Sequence, residues 1–332
     1  MKVLITGGAG FIGSHLSEAL IAEGHHVTIL DNLSTGRFEN IAHLEGHPNF
    51  HIVVGDILNS FLVDKLVERV DWVFHLAAGV GVQLIVKDPL GCLTTNIKGS
   101  EIVLEAVYRY HRKVLITSTS EIYGKNTSSA LKEDDDRILG SPLKSRWSYS
   151  TSKAVDEILA YVYWKEKKVP TVIVRLFNTV GPRQTGHYGM VIPRFVEQAM
   201  KEEALTVYGT GNQTRCFLYV KDAVDGMIRL MKHPKAEGEV FNLGSNREIT
   251  MNELAEMIIR LTKSSSKIVR IPYDQAYEEG FEDMQRRVPA IQKAGQLVGF
   301  KPTVDLEGML QMVISEFARK QIAAAEVNSF GR

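Results

Sequence analysis

Residues 4–16 read LITGGAGFIGSHL, an apolar strand-like run that breaks into glycines and resumes with helical spacing. Gly7, Gly10 and Gly13 stand at the junction. Small residues there allow a tight turn, let backbone N–H groups approach a diphosphate, and let the helix pack closely, with the partial positive charge of its N-terminus aimed at the anion. A glycine trio alone is common. Here it follows a strand, opens a helix in which Ile12, Leu16 and Leu20 share a face, and precedes a second strand, HVTILD, that ends in Asp31. An acidic residue about twenty positions on completes the dinucleotide-binding fingerprint. Gly7, Gly10, Gly13 and the first-turn residues Phe11 and Ile12 are therefore expected to bind a cofactor.

The rest of the chain repeats the alternation. Runs rich in Val and Ile recur as KVLITG, HVTILD, FHIVVGD, DWVFHLAA, KVLITSTS and TVIVRLFN, with helical patterns between most of them. Strand alternating with helix predicts a doubly wound Rossmann α/β fold, a parallel sheet covered on both faces. After Asn178 the pattern loosens into NTVGPRQTGHYGMVIPRF, whose Gly and Pro punctuation marks a boundary. The expected division is a nucleotide domain over 1–177, with 217–245 returning to it, and a smaller mixed α/β substrate-binding domain over 178–216 and 246–322. In that second part TMNELAEMIIRLTK is an amphipathic helix opened by a Thr250 cap with Glu253 three residues on. The terminal AAAEVNSFGR carries no periodic pattern.

Composition narrows the function classes. A chain of 332 residues is long enough for its core to split into two lobes. Lys+Arg and Asp+Glu are both 39, so the net charge is +0 and the basic surplus that nucleic-acid binding draws on is missing. Two cysteines, Cys92 and Cys216, form no metal-ligand cluster, and so few in so long a chain point to a reducing compartment. MKVLITGGAG enters a strand at once, without a secretory leader's apolar core, and no later run reaches membrane-spanning length. The expectation is a cytoplasmic protein with no metal, nucleic-acid or membrane partner.

Asp31 points to the cofactor. A carboxylate at the end of the second strand accepts hydrogen bonds from ribose hydroxyls and repels a 2′-phosphate, which favours NAD over NADP. No arginine follows it directly, although Arg37 is near. Asn32 beside it, and Asp56 and Ile57 after the third strand, are further cofactor candidates, with Asp56 equally suited to capping the next helix.

The chain resembles the extended short-chain dehydrogenases/reductases that act on nucleotide sugars. The resemblance rests on GGAGFIG, HLAA at 75–78, STSEIYG at 118–124, YSTSK at 149–153, NTVGPR at 178–183 and the late GNQTRCFLYVKD, and covers nearly the whole chain. It implies that Leu76, Ala77 and Ala78 line the cofactor site. It also implies that Tyr149 takes the proton of a sugar hydroxyl as NAD accepts hydride from the same carbon, and that Lys153 favours the tyrosinate and holds the nicotinamide ribose. The physics is sound. A tyrosine of pKa about 10 is a poor base at neutral pH until positive charge is brought near, and one helical turn puts both side chains on one face. Thr119 would share the hydroxyl's hydrogen bond, as Ser or Thr does in relatives.

Oxidation at carbon 4 opens three routes: epimerisation, loss of carbon dioxide from a carbon-6 carboxylate, or dehydration. Ser120 and Glu121, directly after Thr119, resemble UDP-glucuronate decarboxylases. So does YEEGFEDMQRRVP at 277–289, in which Arg287 matches an arginine at the sugar carboxylate that serves as proton donor. Arg215 matches an arginine that contacts substrate or its diphosphate, and Asn178 and Arg183 are further substrate-side candidates. Phe281 and Asn212 depart from the decarboxylases, which carry a tyrosine and a lysine near there, and the cofactor half looks more like UDP-hexose 4-epimerases. The leading expectation is a UDP-glucuronate decarboxylase, with a UDP-sugar 4-epimerase second and a non-catalytic NAD-binding sensor third. Bland readings stand beside the sharp ones: Glu121 as a structural ion pair, Arg183 as a loop organiser, Tyr123 as packing, His75 as a core histidine. The resemblance further implies a homodimer, built from the Tyr149 helix and the helix near 95–110 across a two-fold axis.

Overall fold

The structure is a computed structural model that describes residues 1–81, 85, 87–144, 146–186, 190–276 and 284–330. The six apolar runs each form a strand: β1 (Lys2–Thr6), β2 (His26–Asp31), β3 (Phe50–Val54), β4 (Trp72–His75), β5 (Lys113–Thr119) and β6 (Thr171–Leu176). They join β11 (Val240–Leu243) in a seven-stranded sheet of order β11-β6-β5-β4-β1-β2-β3. All six pairings are parallel. The order reverses at β1 and β4, the switch point where doubly wound sheets open a crevice beyond their strand ends.

Helices bury both faces. On one, α1 (Phe11–Ala22) supplies Leu16 and Leu20, and α6 (Val220–Lys232) supplies Val224, Met227, Ile228 and Met231. On the other, α2 (Ser60–Glu68) supplies Val63 and Val67, α3 (Pro89–Arg109) supplies Val103, Leu104 and Val107, and α4 (Arg146–Lys167) supplies Ala160. Burying each such aliphatic side chain stabilises by about 1.5–3 kcal/mol before chain entropy is counted.

A separate core forms around α5 (Val191–Met200), β8 (Leu205–Tyr208), α7 (Met251–Thr262) and α10 (Leu306–Phe330). Short strand pairs decorate it: β7 (Thr179–Val180) with β10 (Leu218–Tyr219), β9 (Thr214–Cys216) with β12 (Glu248–Thr250), and β8 with β13 (Ile268–Ile271). Two shorter helices, α8 (Tyr273–Ala276) and α9 (Gln292–Val298), complete the helical set among the described residues. Thr250 and Glu253 form a reciprocal capping box at α7. The backbone of α10 stays helical through residues 323–330, where the sequence shows no pattern.

Candidate active site

A cavity of about 880 Å³ runs from the β1–α1 turn past the ends of β4 and β5 to α5, β9 and α10. Its first end is made of backbone. Gly7 has φ +73°, and a Cβ there would stand 2.8 Å from Ala77 N; one on Gly13 would stand 2.2 Å from Gly7 O. Only glycine fits either place. Gly10 caps α1 without a side-chain hydrogen bond, and the first turn holds no acidic residue, so its outward amides face the cavity with the positive end of the helix dipole. Gly7, Gly10, Phe11, Ile12 and Gly13 all line this end.

Asp31 follows at the end of β2. Its Oδ2 accepts from Ala9 N–H at 2.9 Å and its Oδ1 from Leu33 N–H at 2.8 Å. Burial pushes this carboxyl upward while the two backbone donors pull it down. Asn32, Ile57, Leu76, Ala77 and Ala78 also line the cavity, whereas Asp56 does not. Asp56 is exposed, and its carboxylate accepts from Asn32 Nδ2 at 3.1 Å, across from β2, and from Leu58 N–H at 2.8 Å, while the following helix is capped by Asn59 and not by Asp56. Donors in backbone, no Cβ in the cradle and a carboxylate at the strand end together fit a dinucleotide.

Mid-cavity, Thr119 ends β5 and α4 presents Tyr149 and Lys153. Thr119 Oγ1, which accepts from Glu121 N–H at 3.2 Å, lies beside the Tyr149 hydroxyl. Burial, then Glu121 and Asp156, push that phenol well above its ordinary range, and Thr119 opposes them. Lys153 Nζ donates to Asp156 Oδ2 at 2.7 Å.

Beyond Thr119 the character changes to paired charge. The 3-10 turn Ser120–Tyr123 carries Glu121 to Arg287, whose guanidinium forms an ion pair with Glu121 and lies 3.3 Å from Ser120 Oγ. Those side chains are 15% and 8% exposed. Arg287 is delivered by a bridge between Leu131 and Pro289, held by Leu131 N–H to Val288 O at 2.8 Å and Ala290 N–H to Leu131 O at 2.8 Å. Arg215, on β9, and Asn178 line the far end. Asn178 Nδ2 also donates to Cys216 O at 2.8 Å.

Several candidates have plainer surroundings. Arg183 lines the cavity yet is tied to Glu18 and, at 3.2 Å, to Ser14 Oγ, so it fastens its loop to α1. Arg286 turns away to Glu248 and Ser129. Tyr123 is fully buried and donates to Asn242 Oδ1 at 2.8 Å while Arg175 donates to it at 2.8 Å. His75 is buried between Thr6 and Ser100 hydroxyls. Phe281 lies outside the described residues. Cys92 and Arg194, the latter stacked 4.0 Å above the Tyr208 ring, also line the cavity, and Asp156 pairs with Lys153 beside it. Of these, only Asp156 left a signal in the sequence, at i+3 from Lys153 on one helix.

The profile of the family described as GDP-mannose 4,6 dehydratase matches residues 4–313. The chain belongs to this family. Within it, the chain is 43% identical over 317 residues to UDP-N-acetyl-alpha-D-glucosaminuronate decarboxylase of Bacillus cytotoxicus, covering 95% of this chain and 97% of that one. It is 39% identical over 319 residues to UDP-glucuronic acid decarboxylase 1 of Danio rerio, covering 96% and 73%. Among solved family structures, UDP-glucuronic acid 4-epimerase from Bacillus cereus, in complex with UDP-glucuronic acid and NAD, superposes with TM-score 0.87 at 32% identity, covering 96% and 99%.

Proposed function

We propose that this chain is an NAD-dependent decarboxylase of a UDP-linked uronate, UDP-glucuronate first. The observation that carries the reading is the Glu121–Arg287 pair with Ser120, one residue beyond Thr119 and facing the same cavity. NAD, when bound, supplies the hydride acceptor for carbon 4. Tyr149, beside Thr119, takes the proton of the carbon-4 hydroxyl, so that carbon becomes a ketone. Lys153 holds the nicotinamide ribose and contributes the positive charge that favours the tyrosinate. The uronate is now a β-keto acid. Its carbon 5–carbon 6 bond breaks, carbon dioxide leaves, and the electron pair is held as an enolate between carbon 5 and the carbon-4 oxygen. Arg287 first meets the carboxylate and then gives carbon 5 its proton; Glu121 and Ser120 orient the guanidinium. Arg215 meets the diphosphate, with Asn178 on the substrate side and Arg183 bracing the loop. At the cofactor end, the amides after Gly10 meet the diphosphate, Asp31 with Asn32 meets the adenosine ribose, and Ile57, Leu76, Ala77 and Ala78 pack along the cofactor.

The division into 1–177 with 217–245, and 178–216 with 246–322, belongs to the same proposal and is supported by the separate core around α5 and α7. A homodimer does too. On α4, Ile158, Tyr161 and Val162 follow helical spacing and are 59%, 43% and 37% exposed, an apolar stripe suited to a second copy. Sedimentation as a monomer at micromolar concentration would contradict it. We also assign the protein to the cytoplasm, supported by two free cysteines and by the finding that no described helix is long and apolar enough to cross a membrane.

A second reading, a UDP-sugar 4-epimerase, is favoured by the Bacillus cereus neighbour. An epimerase must let the 4-keto sugar turn over, and a charged grip on carbon 6 works against that. The test is nuclear magnetic resonance of the products from UDP-glucuronate, UDP-N-acetylglucosaminuronate and UDP-glucose in parallel. A UDP-pentose or its 4-keto form supports the decarboxylase; UDP-galacturonate or UDP-galactose without pentose promotes the epimerase. No turnover of any of them would favour a non-catalytic NAD sensor.

A further inference from the structure

Behind the Tyr149–Lys153 pair lies a buried polar chain that the proposed reaction does not use. Lys153 is 2% exposed and Asp156 0%. Three residues apart on α4, they lie on one side of the helix and pair at 2.7 Å. Ser100 of α3 lies near the same carboxylate and helps pull its pKa down. His75 Nε2 stands 3.1 Å from Ser100 Oγ, and Thr6 Oγ1 stands 2.7 Å from His75 Nδ1. The hydroxyl and imidazole members pair in sequence, while Asp156 Oδ1 is buried without a hydrogen-bond partner. With His75 as the Nε2–H tautomer, Ala77 N–H donates to Thr6 Oγ1 at 3.2 Å, the Thr6 hydroxyl to His75 Nδ1, and His75 Nε2–H to Ser100 Oγ.

We infer that Asp156 is a positioning residue for Lys153, holding the buried ammonium, with its charge, where it meets the nicotinamide ribose and Tyr149. The inference rests on the role proposed above for Lys153. Its physical ground is that a buried lysine without a counter-charge sheds its proton as low as pH about 5–6. Among the described residues, Asp156 is the carboxylate that pairs with Lys153.

The surroundings fix the direction of the effect. Glu121 from the 3-10 turn, Cys92 from α3 and Asp156 itself all act on Tyr149. Glu157, next to Asp156, is committed to Arg175 of β6 at 2.8 Å. His75 is kept neutral down to about pH 3 by burial and by the charge of Lys153. Burial pushes Asp156 upward, and Lys153 and Ser100 pull it down. Removing the Asp156 charge therefore eases loss of the Tyr149 proton and leaves Lys153 without its partner. Both changes move function toward acid.

The test compares the full-length wild type with Asp156→Asn, Asp156→Glu and Ser100→Ala. Two readouts are followed from about pH 6 to about pH 10, the span between ordinary histidine and lysine titration. One is the NAD dissociation constant by calorimetry; the other is tyrosinate absorbance, taken as the difference from Tyr149→Phe in each background. Asp156→Asn is expected to lose NAD affinity about tenfold per pH unit above an onset at lower pH than any in the wild type, as one lost proton requires. Its Tyr149 ionises at lower pH. Asp156→Glu keeps the wild-type pH dependence even where affinity drops. An Asp156→Asn protein weakened by one factor at every pH, with Tyr149 unmoved, would overturn the inference. If Asp156→Asn does not fold, Ser100→Ala decides, by a smaller shift of the same sign or by none. Wild type that binds no NAD would overturn the underlying reading of Lys153 instead, in a different sample.

Discussion

The two ends of the cavity are built from different materials. The centre of the cofactor end is one contiguous stretch, β1, a glycine turn and the start of α1, whose groups are backbone amides and whose key side chains are absent ones, with Asp31 added from the end of β2. The sugar end is assembled from side chains far apart in the chain: Glu121 and Arg287 are 166 positions apart and meet as an ion pair. Amides and a helix dipole bind any diphosphate and hold it still. A charged pair with a hydroxyl selects a carboxylate and can act on it. The difference teaches where chemistry can diverge among members of one family: a turn that tolerates no Cβ has little room to change, whereas a distant arginine can be replaced with one substitution.

Tyr149 stands where the ends meet, so its removal tests both. Tyr149→Phe should lower turnover about 10²–10⁴-fold, the usual worth of a placed acid–base group, while NAD binding measured by calorimetry stays within twofold or so. Loss of NAD binding as well would mean that the tyrosine holds the cofactor instead.

The sugar end alone is tested by Arg287→Ala. Carbon dioxide release should fall about 10²–10³-fold, as for loss of a charge-assisted contact at a reacting centre, with NAD affinity unchanged. Release that persists would reduce Glu121 and Arg287 to a structural pair.

Between the ends, His75 links the sheet to the Lys153 network and has a measurable signature. In the fold it is protonated only at about pH 3, against 6.5 for its ordinary value. Between those values the unfolded chain binds the extra proton, so the stability His75 contributes is complete above the higher value and is lost as pH falls toward the lower. At pH 4 the loss is on the order of 3 kcal/mol, from the free energy of a proton per pH unit. Denaturant titrations should show a shallower acid decline in His75→Asn than in the wild type; equal slopes would refute the buried neutral state.

The smallest effect belongs to the cofactor end. Asp31→Asn removes a negative charge that would meet ribose hydroxyls, for an expected loss of about 1.5–3 kcal/mol in NAD binding and a relative gain for NADP. Unchanged preference would place the ribose elsewhere.

Much of this could be read from the sequence, and the reasons it stops are physical. All six apolar runs became strands, because buried parallel strands advertise themselves as Val and Ile runs. The glycine turn was legible because its constraints are local. The contacts that join Leu131 to Pro289, and so bring Arg287 to Glu121, depend on tertiary pairing and leave no local pattern. Resemblance supplied Arg287 where spacing could not. Tyr123 takes the packing reading: its hydroxyl is engaged by Asn242 and Arg175 in the core. Asp156 sat in plain view one turn after Lys153, but only burial distinguishes such a pair from an ordinary surface i,i+3 contact.

The account turns on what becomes of carbon 6. UDP-glucuronate labelled at that carbon, incubated with the protein and NAD in excess over the sugar, measures it by trapping released gas while the remaining sugar is followed by nuclear magnetic resonance. The account predicts that the label leaves as carbon dioxide in step with appearance of a five-carbon UDP-sugar. Label that stays in a six-carbon product with inverted carbon 4 would contradict it.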